Sequence, residues 1–258
     1  MPDEFKDIDW SSLIKDLKDP QFIKSGAGKL SPTPSFTYTP LDIGGGNLSG
    51  EDQGARNAVI RVDVQKHPDF QKLNVLQRSG AKWAASALQL AASMGHIDAA
   101  RMKRIIDFGA GSGGPTFAVA RVGETIGADV EAVEQNEQQA KEIVADGILP
   151  EDKVHVSDGL AFLNGVNGAE NGYDLVTAFM LGPDINADLF RKLAHASGNA
   201  LSEGGNLLVT SDGGTFSAAM RACESSGVPH HFIHGVGDGG DIIVPHTLII
   251  PKASCAAV

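Results

Sequence analysis

Hydrophobic and polar positions change rhythm several times along this chain, and each change marks an element. From Asp69, apolar residues at Phe70, Leu73, Leu76, Trp83, Ala84, Ala87, Leu88, Ala91 and Met94 recur at steps of three and four. That period predicts one amphipathic helix or two, stopped at Gly95. From Arg104 short apolar runs alternate with helical stretches. Ile105 to Phe108 reads as a strand entering a glycine-rich turn; Pro115 suits the first turn of the next helix, and Gly127 stops it. Val130 to Glu134 reads as the second strand. Asn136 reads as the N-cap of the following helix, with Gln139 three residues on as in a capping box and Gly147 as its end. Strands follow at Lys153–Ser157, Tyr173–Met180 and Asn206–Ser211, with one helix marked by Leu189, Leu193, Ala196 and Ala200 and another over 215–226. Two last strands, near 230–235 and 242–250, flank Gly237-Asp238-Gly239-Gly240, a hairpin-type linker. Strands alternating with helices predict a parallel sheet with crossover helices. The expected fold is α/β: a doubly wound, seven-stranded, mostly parallel sheet with a C-terminal antiparallel hairpin.

Upstream the pattern is weaker. Phe5, Ile8, Leu13 and Leu17 form a loose helical stripe that Pro20 interrupts, and residues 25–56, rich in Gly, Ser, Thr and Pro, read as a long loop. Alternation from Ile60 to Val64 predicts a short strand over 57–65. Residues 1–70 are therefore expected to be an N-terminal helical and loop extension forming part of a lid, and residues 71–258 the ligand-binding domain.

Composition narrows the function classes. The 258 residues are 42% hydrophobic, enough for a real core, and the net charge is −11. A chain that binds nucleic acid through its overall field is basic, so this balance disfavours DNA and RNA as partners. The N-terminus lacks an apolar targeting segment and no apolar run reaches membrane length, so a soluble cytoplasmic protein with no membrane partner is expected. The two cysteines, Cys223 and Cys255, form no CxxC pair, which argues against a structural zinc.

The chemistry concentrates after the first strand, in Asp107-Phe108-Gly109-Ala110-Gly111-Ser112-Gly113-Gly114. Glycines at alternate positions let the backbone turn sharply and approach a ligand, and the helix behind them offers free amides and positive potential. Glu134, at the tip of the second strand, stands where an acid can take both hydroxyls of a ribose. A bound adenosine-type nucleotide is expected. Gly109-x-Gly111-x-x-Gly114 also satisfies the dinucleotide fingerprint, so the glycines alone do not choose between nucleotides. Asp107 does: a carboxylate there suits a cationic amino-acid tail and would repel a pyrophosphate. Asp158-Gly159 follows the third strand, where an acid and a main-chain amide can read an adenine edge, and Leu201-Ser202-Glu203-Gly204-Gly205 turns into the fifth.

Over roughly residues 75–251 the sequence resembles the class I S-adenosylmethionine-dependent methyltransferases. Asp107-x-Gly109-x-Gly111-x-Gly113 looks like the family's first motif, Glu134 like its ribose-binding acid, Asp158 like its adenine-contacting acid, and Leu201 to Gly205 like its Leu-x-x-Gly-Gly turn. The resemblance implies S-adenosylmethionine as cofactor, held by Asp107, Gly109, Ala110, Gly111, Glu134, Gln135, Asp158, Gly159, Leu160 and Phe179. It implies methyl transfer from a sulfonium to a nucleophile by in-line displacement. It names no catalytic base, and no metal is expected.

The acceptor is less legible. Family members that methylate base amines or glutamine often carry Asn/Asp-Pro-Pro-Tyr/Phe after the fourth strand, where this chain has Phe179-Met180-Leu181-Gly182-Pro183-Asp184. That departure argues against base N-methylation. Phe179, Met180 and Leu181 suit either an acceptor pocket or the strand-end core, and Asp184 either orients an acceptor or caps the next helix. A small-molecule acceptor is expected, with a protein side chain as the alternative; a homodimer stays open. His230 and His234 would share one face of the penultimate strand and His231 the other, which does not gather a metal site. Ala110 to Gly114 also resembles a nucleophile elbow at Ser112, with Asp212 and His234 or His246 in hydrolase order, but that fold places several strands and an oxyanion loop before the serine, where residues 1–100 read mainly as loop and helix. A nicotinamide-dependent dehydrogenase would place its fingerprint nearer the chain start.

Overall fold

Parallel strands covered on both faces need apolar side chains at successive positions. The structure, a computed structural model, describes residues 63–179, 186–211, 213–233, 236–238 and 241–258. Its strands meet that need. In β1 (Arg104–Phe108) Ile105 and Ile106 are both fully buried, and Ala132 and Val133 repeat this in β2 (Asp129–Glu134), as do Leu175 and Val176 in β4 (Tyr173–Ala178). Because successive side chains point to opposite faces, each pair feeds two cores. Ile105, Ala132, Leu175, Leu208 and Ile249 join one cluster; Ile106, Val133, Val176, Leu207, Val209, Leu248 and Ile250 join the other.

The seven-stranded sheet has the order β3-β2-β1-β4-β5-β9-β6, with β3 at Val154–Val156, β5 at Leu201–Ser211, β6 at His231–Ile233 and β9 at His246–Pro251. Strands β1 to β5 pair in parallel; β9 runs antiparallel to both β5 and β6. Helices α1 (Val75–Ser93), α2 (Gly114–Ile126) and α3 (Glu137–Ala145) cover the first face. The short helices α4 (Gly159–Gly165) and α5 (Gly168–Asn171) lie between β3 and β4 in the chain. Leu163 of α4, with α6 (Ala187–Ala200), α7 (Gly213–Ser226) and α8 (Lys252–Cys255), packs on the second face. This is the doubly wound sheet that the alternating pattern predicts. Among the described residues, no helix is long and apolar enough to cross a membrane.

Several expectations need correction. The expected strand over 57–65 falls partly outside the described residues, and Val64–Lys66 is a 3₁₀ turn capped by the Asp63 carboxylate on the Gln65 amide. Val64 and Phe70, each 3% exposed, are buried in the same cluster as α1 and α2. Leu76 does not belong to the apolar stripe of α1: it is 82% exposed on the first turn. The expected last strand is split at Pro245, which has no N–H to give a ladder. Between β6 and β9 a separate two-stranded ribbon forms from β7 (Val236–Asp238) and β8 (Asp241–Val244). The Leu201–Gly205 turn is an irregularity inside β5: Tyr173 pairs with Leu201 and Leu175 with Asn206, so the intervening residues bulge out, with Gly204 at φ +79°. The stripe at 5–24, the loop at 25–56, and residues Met180, Leu181, Asp184, Asp212 and His234 lie outside the described residues.

Candidate functional site

The chain turns from one half of the sheet to the other between β1 and β4, so the crevice for a ligand lies at the carboxyl ends of the central strands. The glycine loop leaves β1 at that end. Gly109, Gly111 and Gly113 all take left-handed backbone, at φ +66°, +56° and +90°. They do different work. Around Gly109 and Gly111 nothing lies within 4 Å of where a Cβ would stand, so that side of the loop is open. At Gly113 a Cβ would meet Ile148 Cδ1 at 2.7 Å and Ile143 Cγ1 at 3.0 Å, so this glycine presses the loop against the end of α3. Gly113 caps α2 without a side-chain hydrogen bond, and Pro115 sits in the first turn.

Glu134 ends β2 and is tied to the loop. Its Oε2 accepts the Gly111 N–H at 2.7 Å, and its Oε1 accepts the Asn136 N–H at 2.8 Å. The capping box expected at Asn136 is thus only half present: Asn136 Oδ1 accepts from Gln138 and Gln139, but Glu134 takes the amide that Gln139 was expected to take. The amides of Gly109 and Ala110 both donate to the Val133 carbonyl, and Ser157 N–H donates to Glu134 O. Glycine loop, β2 tip and β3 end therefore form one hydrogen-bonded unit.

Asp107 lies beneath this unit, 1% exposed. Thr116 Oγ1 donates to its Oδ2 at 2.7 Å and Thr177 Oγ1 to its Oδ1 at 2.8 Å. Burial raises its pKa, the two threonine hydroxyls pull it down, the negative charge of Glu134 raises it again, and the result is a carboxyl pushed up to about 6. The carboxylate expected to meet a cationic tail directly is taken up by two hydroxyls, and the charge acts from under the loop.

The remaining expected residues sit around the same rim. Asp158 is exposed and caps α4, its Oδ1 accepting the Ala161 N–H at 2.8 Å. A Cβ on Gly159 would strike the Phe108 ring, so the start of α4 packs closely against the side chain that ends β1. Leu160 is half-buried, Gln135 exposed, and Ala110 and Phe179 buried. Ala110 and Phe179 share the cluster that holds α1 and α2. His231 lies apart from the site, stacked on His96 with ring centroids 4.0 Å apart, and His246 follows Pro245 at the start of β9.

Four residues were missed from sequence. Thr116, Thr177 and Phe108 act through packing that no local pattern displays, although a threonine in the apolar run of β4 was a signal. Gln77 was readable: Asn74-x-x-Gln77 is a capping box, and both of its arms are formed, Asn74 N–H to Gln77 Oε1 at 2.8 Å and Gln77 N–H to Asn74 Oδ1 at 3.0 Å. What the box hides is the rest of that side chain. Gln77 Nε2 donates to the Ser112 carbonyl at 2.7 Å and to Asp146 Oδ2 at 2.8 Å.

No protein-family model and no characterised protein sequence matches this chain. Solved structures do. A Nostoc punctiforme protein assigned as an O-methyltransferase superposes with a TM-score of 0.50 at 16% identity, over 72% of this chain and 61% of that one. A Thermotoga maritima S-adenosylmethionine-dependent O-methyltransferase gives 0.43 at 18% identity, over 61% and 62%. The Thermus thermophilus 16S rRNA N2 G1207 methyltransferase, solved with S-adenosylmethionine and guanosine, gives 0.42 at 18%, over 58% and 35%. The chain thus spans about a third of the length of the last and some three fifths of the other two.

Proposed function

We propose that this chain, which has the fold of the class I S-adenosylmethionine-dependent methyltransferases, binds that cofactor in the crevice of the glycine loop and transfers its methyl group to a small-molecule acceptor. The observation that carries this reading is Glu134, a carboxylate fixed at the mouth of a glycine loop by the Gly111 and Asn136 amides. Each of its oxygens spends one lone pair on an amide and keeps another. Two such oxygens suit the adjacent hydroxyls of a ribose. Gly109 and Gly111 leave the loop bare on its open side, where a Cβ would keep a ligand away. Asp107 adds negative charge below the loop, favouring a cationic amino-acid tail over a pyrophosphate. Asp158 keeps its second oxygen for an adenine amino group, with the Gly159 and Leu160 amides beside it; Ala110, Gln135 and Phe179 complete the rim.

The bound cofactor supplies a methyl group made electrophilic by its sulfonium. This chain's residues bind, orient and exclude water, which is the main demand of an in-line displacement. No side chain is assigned as a base. A net charge of −11 disfavours a polyanionic acceptor and supports a small molecule, with a protein side chain as the alternative.

Calorimetric titration with S-adenosylhomocysteine and, separately, NAD tests the cofactor. Micromolar binding of the first alone is expected; binding of NAD alone defeats the proposal. Glu134→Ala should weaken S-adenosylhomocysteine by about 30-fold or more, the value of one to two charge-assisted hydrogen bonds. Equal affinity would remove Glu134 from the ribose. With a labelled methyl donor, transfer to small metabolites is expected, and transfer only to protein or RNA would reverse the acceptor assignment.

A further inference from the structure

On the strength of that cofactor reading, we propose that Gln77 is the positioning residue of the glycine loop: its amide aims the Ser112–Gly113 peptide and thereby sets cofactor affinity. Gln77 is a polar side chain only 3% exposed. Its two Nε2 hydrogens are both used, one on the Ser112 carbonyl at 2.7 Å and one on Asp146 Oδ2 at 2.8 Å, while Oε1 accepts the Asn74 N–H at 2.8 Å. The orientation of the amide is forced, since reversing it would set an oxygen against a carbonyl and a carboxylate and an NH₂ against an N–H.

The Ser112–Gly113 peptide is therefore held at both ends. Its carbonyl is drawn to Gln77, and its N–H donates to the Ala110 carbonyl at 3.0 Å. This peptide is where the loop turns into α2, so its direction sets that of the Gly109–Gly111 backbone before it and the helix amides behind it. Backbone packing fixes Gln77 in turn. A Cβ on Gly114 would stand 2.7 Å from Gln77 Cα, and one on Gly80 2.9 Å from Pro115 Cδ, so the first two turns of α1 lie directly against the first turn of α2. Asp146, the C-cap of α3, is the third corner, and Ile143 and Ile148 beside it form the wall against Gly113. One amide thus braces α1, the glycine loop and the end of α3, and makes no claim on the ligand itself. Asn74, Gln77 and Asp146 come from segments that no cofactor motif includes.

The test separates bracing from mere structure. Gln77→Met keeps the length and removes the donors. It should weaken S-adenosylhomocysteine about tenfold, the loss of one hydrogen bond's ordering. It should also speed hydrogen exchange of the Gly113 amide in the ligand-free protein. Gln77→Glu puts a carboxyl opposite the Ser112 carbonyl, and only its protonated form can donate there. A protonated carboxyl has one O–H for the two acceptors that Nε2 serves, Ser112 O and Asp146 Oδ2, so some affinity is lost already at pH 5. As that proton leaves, the ratio of its Kd to the wild-type Kd, in which other titrations cancel, should rise about tenfold further by pH 8. Wild-type affinity in Gln77→Met, or a ratio that does not change with pH in Gln77→Glu, overturns the proposal. If Gln77→Met does not fold, the pH dependence of Gln77→Glu carries the test. Exchange reads the brace without any ligand: faster Gly113 exchange with no wild-type binding of S-adenosylhomocysteine would keep the brace and defeat the cofactor reading, and unchanged exchange defeats the brace.

Discussion

Replacing Asp107 by asparagine should make the ligand-free protein more stable at neutral pH while weakening its hold on the cofactor. The carboxyl is buried, and its pKa stands near 6 in the folded protein against an ordinary 3.8. Between those values the folded state keeps a proton that the unfolded chain has released, so stability falls as pH rises and the loss is complete above about 6. At about 1.4 kcal/mol per pH unit, the ionised side chain costs about 3 kcal/mol at pH 8. Asparagine has the same shape and no charge to desolvate. One threonine hydroxyl must then turn round to accept from its NH₂, and Thr177 can do so because its Oγ1 also lies 3.3 Å from the Ile106 carbonyl. The pKa near 6 already carries the effect of both threonine bonds, so the net gain at pH 8 is about 3 kcal/mol, and close to none at pH 4, where the carboxyl is neutral in the folded state. Urea unfolding of both proteins at pH 4, 6 and 8 measures it. The difference between variant and wild type should grow by about 3 kcal/mol from the lowest pH to the highest. A difference that stays flat would mean the carboxylate is not desolvated, and the account of the site would fall with it.

Other expectations come from the same geometry. Gly113→Ala should cost about 2–5 kcal/mol, from left-handed backbone and the clash with Ile148 and Ile143, and lower the thermal midpoint accordingly. Gly111→Ala meets open space, so about 1–2 kcal/mol of backbone strain is all that melting should show, while cofactor affinity falls much further. Equal losses in both assays for Gly111→Ala would place the ligand elsewhere. At the opposite end of the sheet, Glu131 accepts from Arg104 at 2.8 Å, His155 at 2.8 Å and the Tyr173 hydroxyl at 2.9 Å. Burial alone would raise its pKa, but these bonds outweigh it and hold the pKa below 4.5. Its stabilisation is present above that value and lost as pH falls. Glu131→Gln should therefore lose about 2–3 kcal/mol in unfolding at pH 7 and progressively less toward pH 3, with no selective effect on cofactor binding.

Some corrections trace to forces a local pattern cannot weigh. Val64 and Gln65 were expected at the end of a strand, but the Asp63 carboxylate caps a 3₁₀ turn there instead. Leu76 fits the helical period and still faces out, since the period fixes which residues share a face and not how far around the helix the neighbouring elements reach. The final strand read as one run because apolar residues flank Pro245-His246-Thr247 on both sides; Pro245 divides it because the ladder depends on backbone donors.

The sequence by itself determined the winding of the sheet, the order of its elements and the motif residues at their ends. Those follow from periodicity, from glycines that allow turns and from acids placed after strands, all carried by neighbours in the chain. It also marked Asp107 and Glu134 as the candidate charges of the site. Only the tertiary structure decided how those charges are held. Thr116 and Thr177 converge on Asp107 from a helix and a distant strand, and Glu134 spans from β2 to the loop amide of Gly111. Gln77 reaches Ser112 and Asp146 from a helix that precedes every motif. Such contacts join residues far apart in the chain. Side-chain hydrogen bonds act over about 3 Å, and only the packed fold sets those distances.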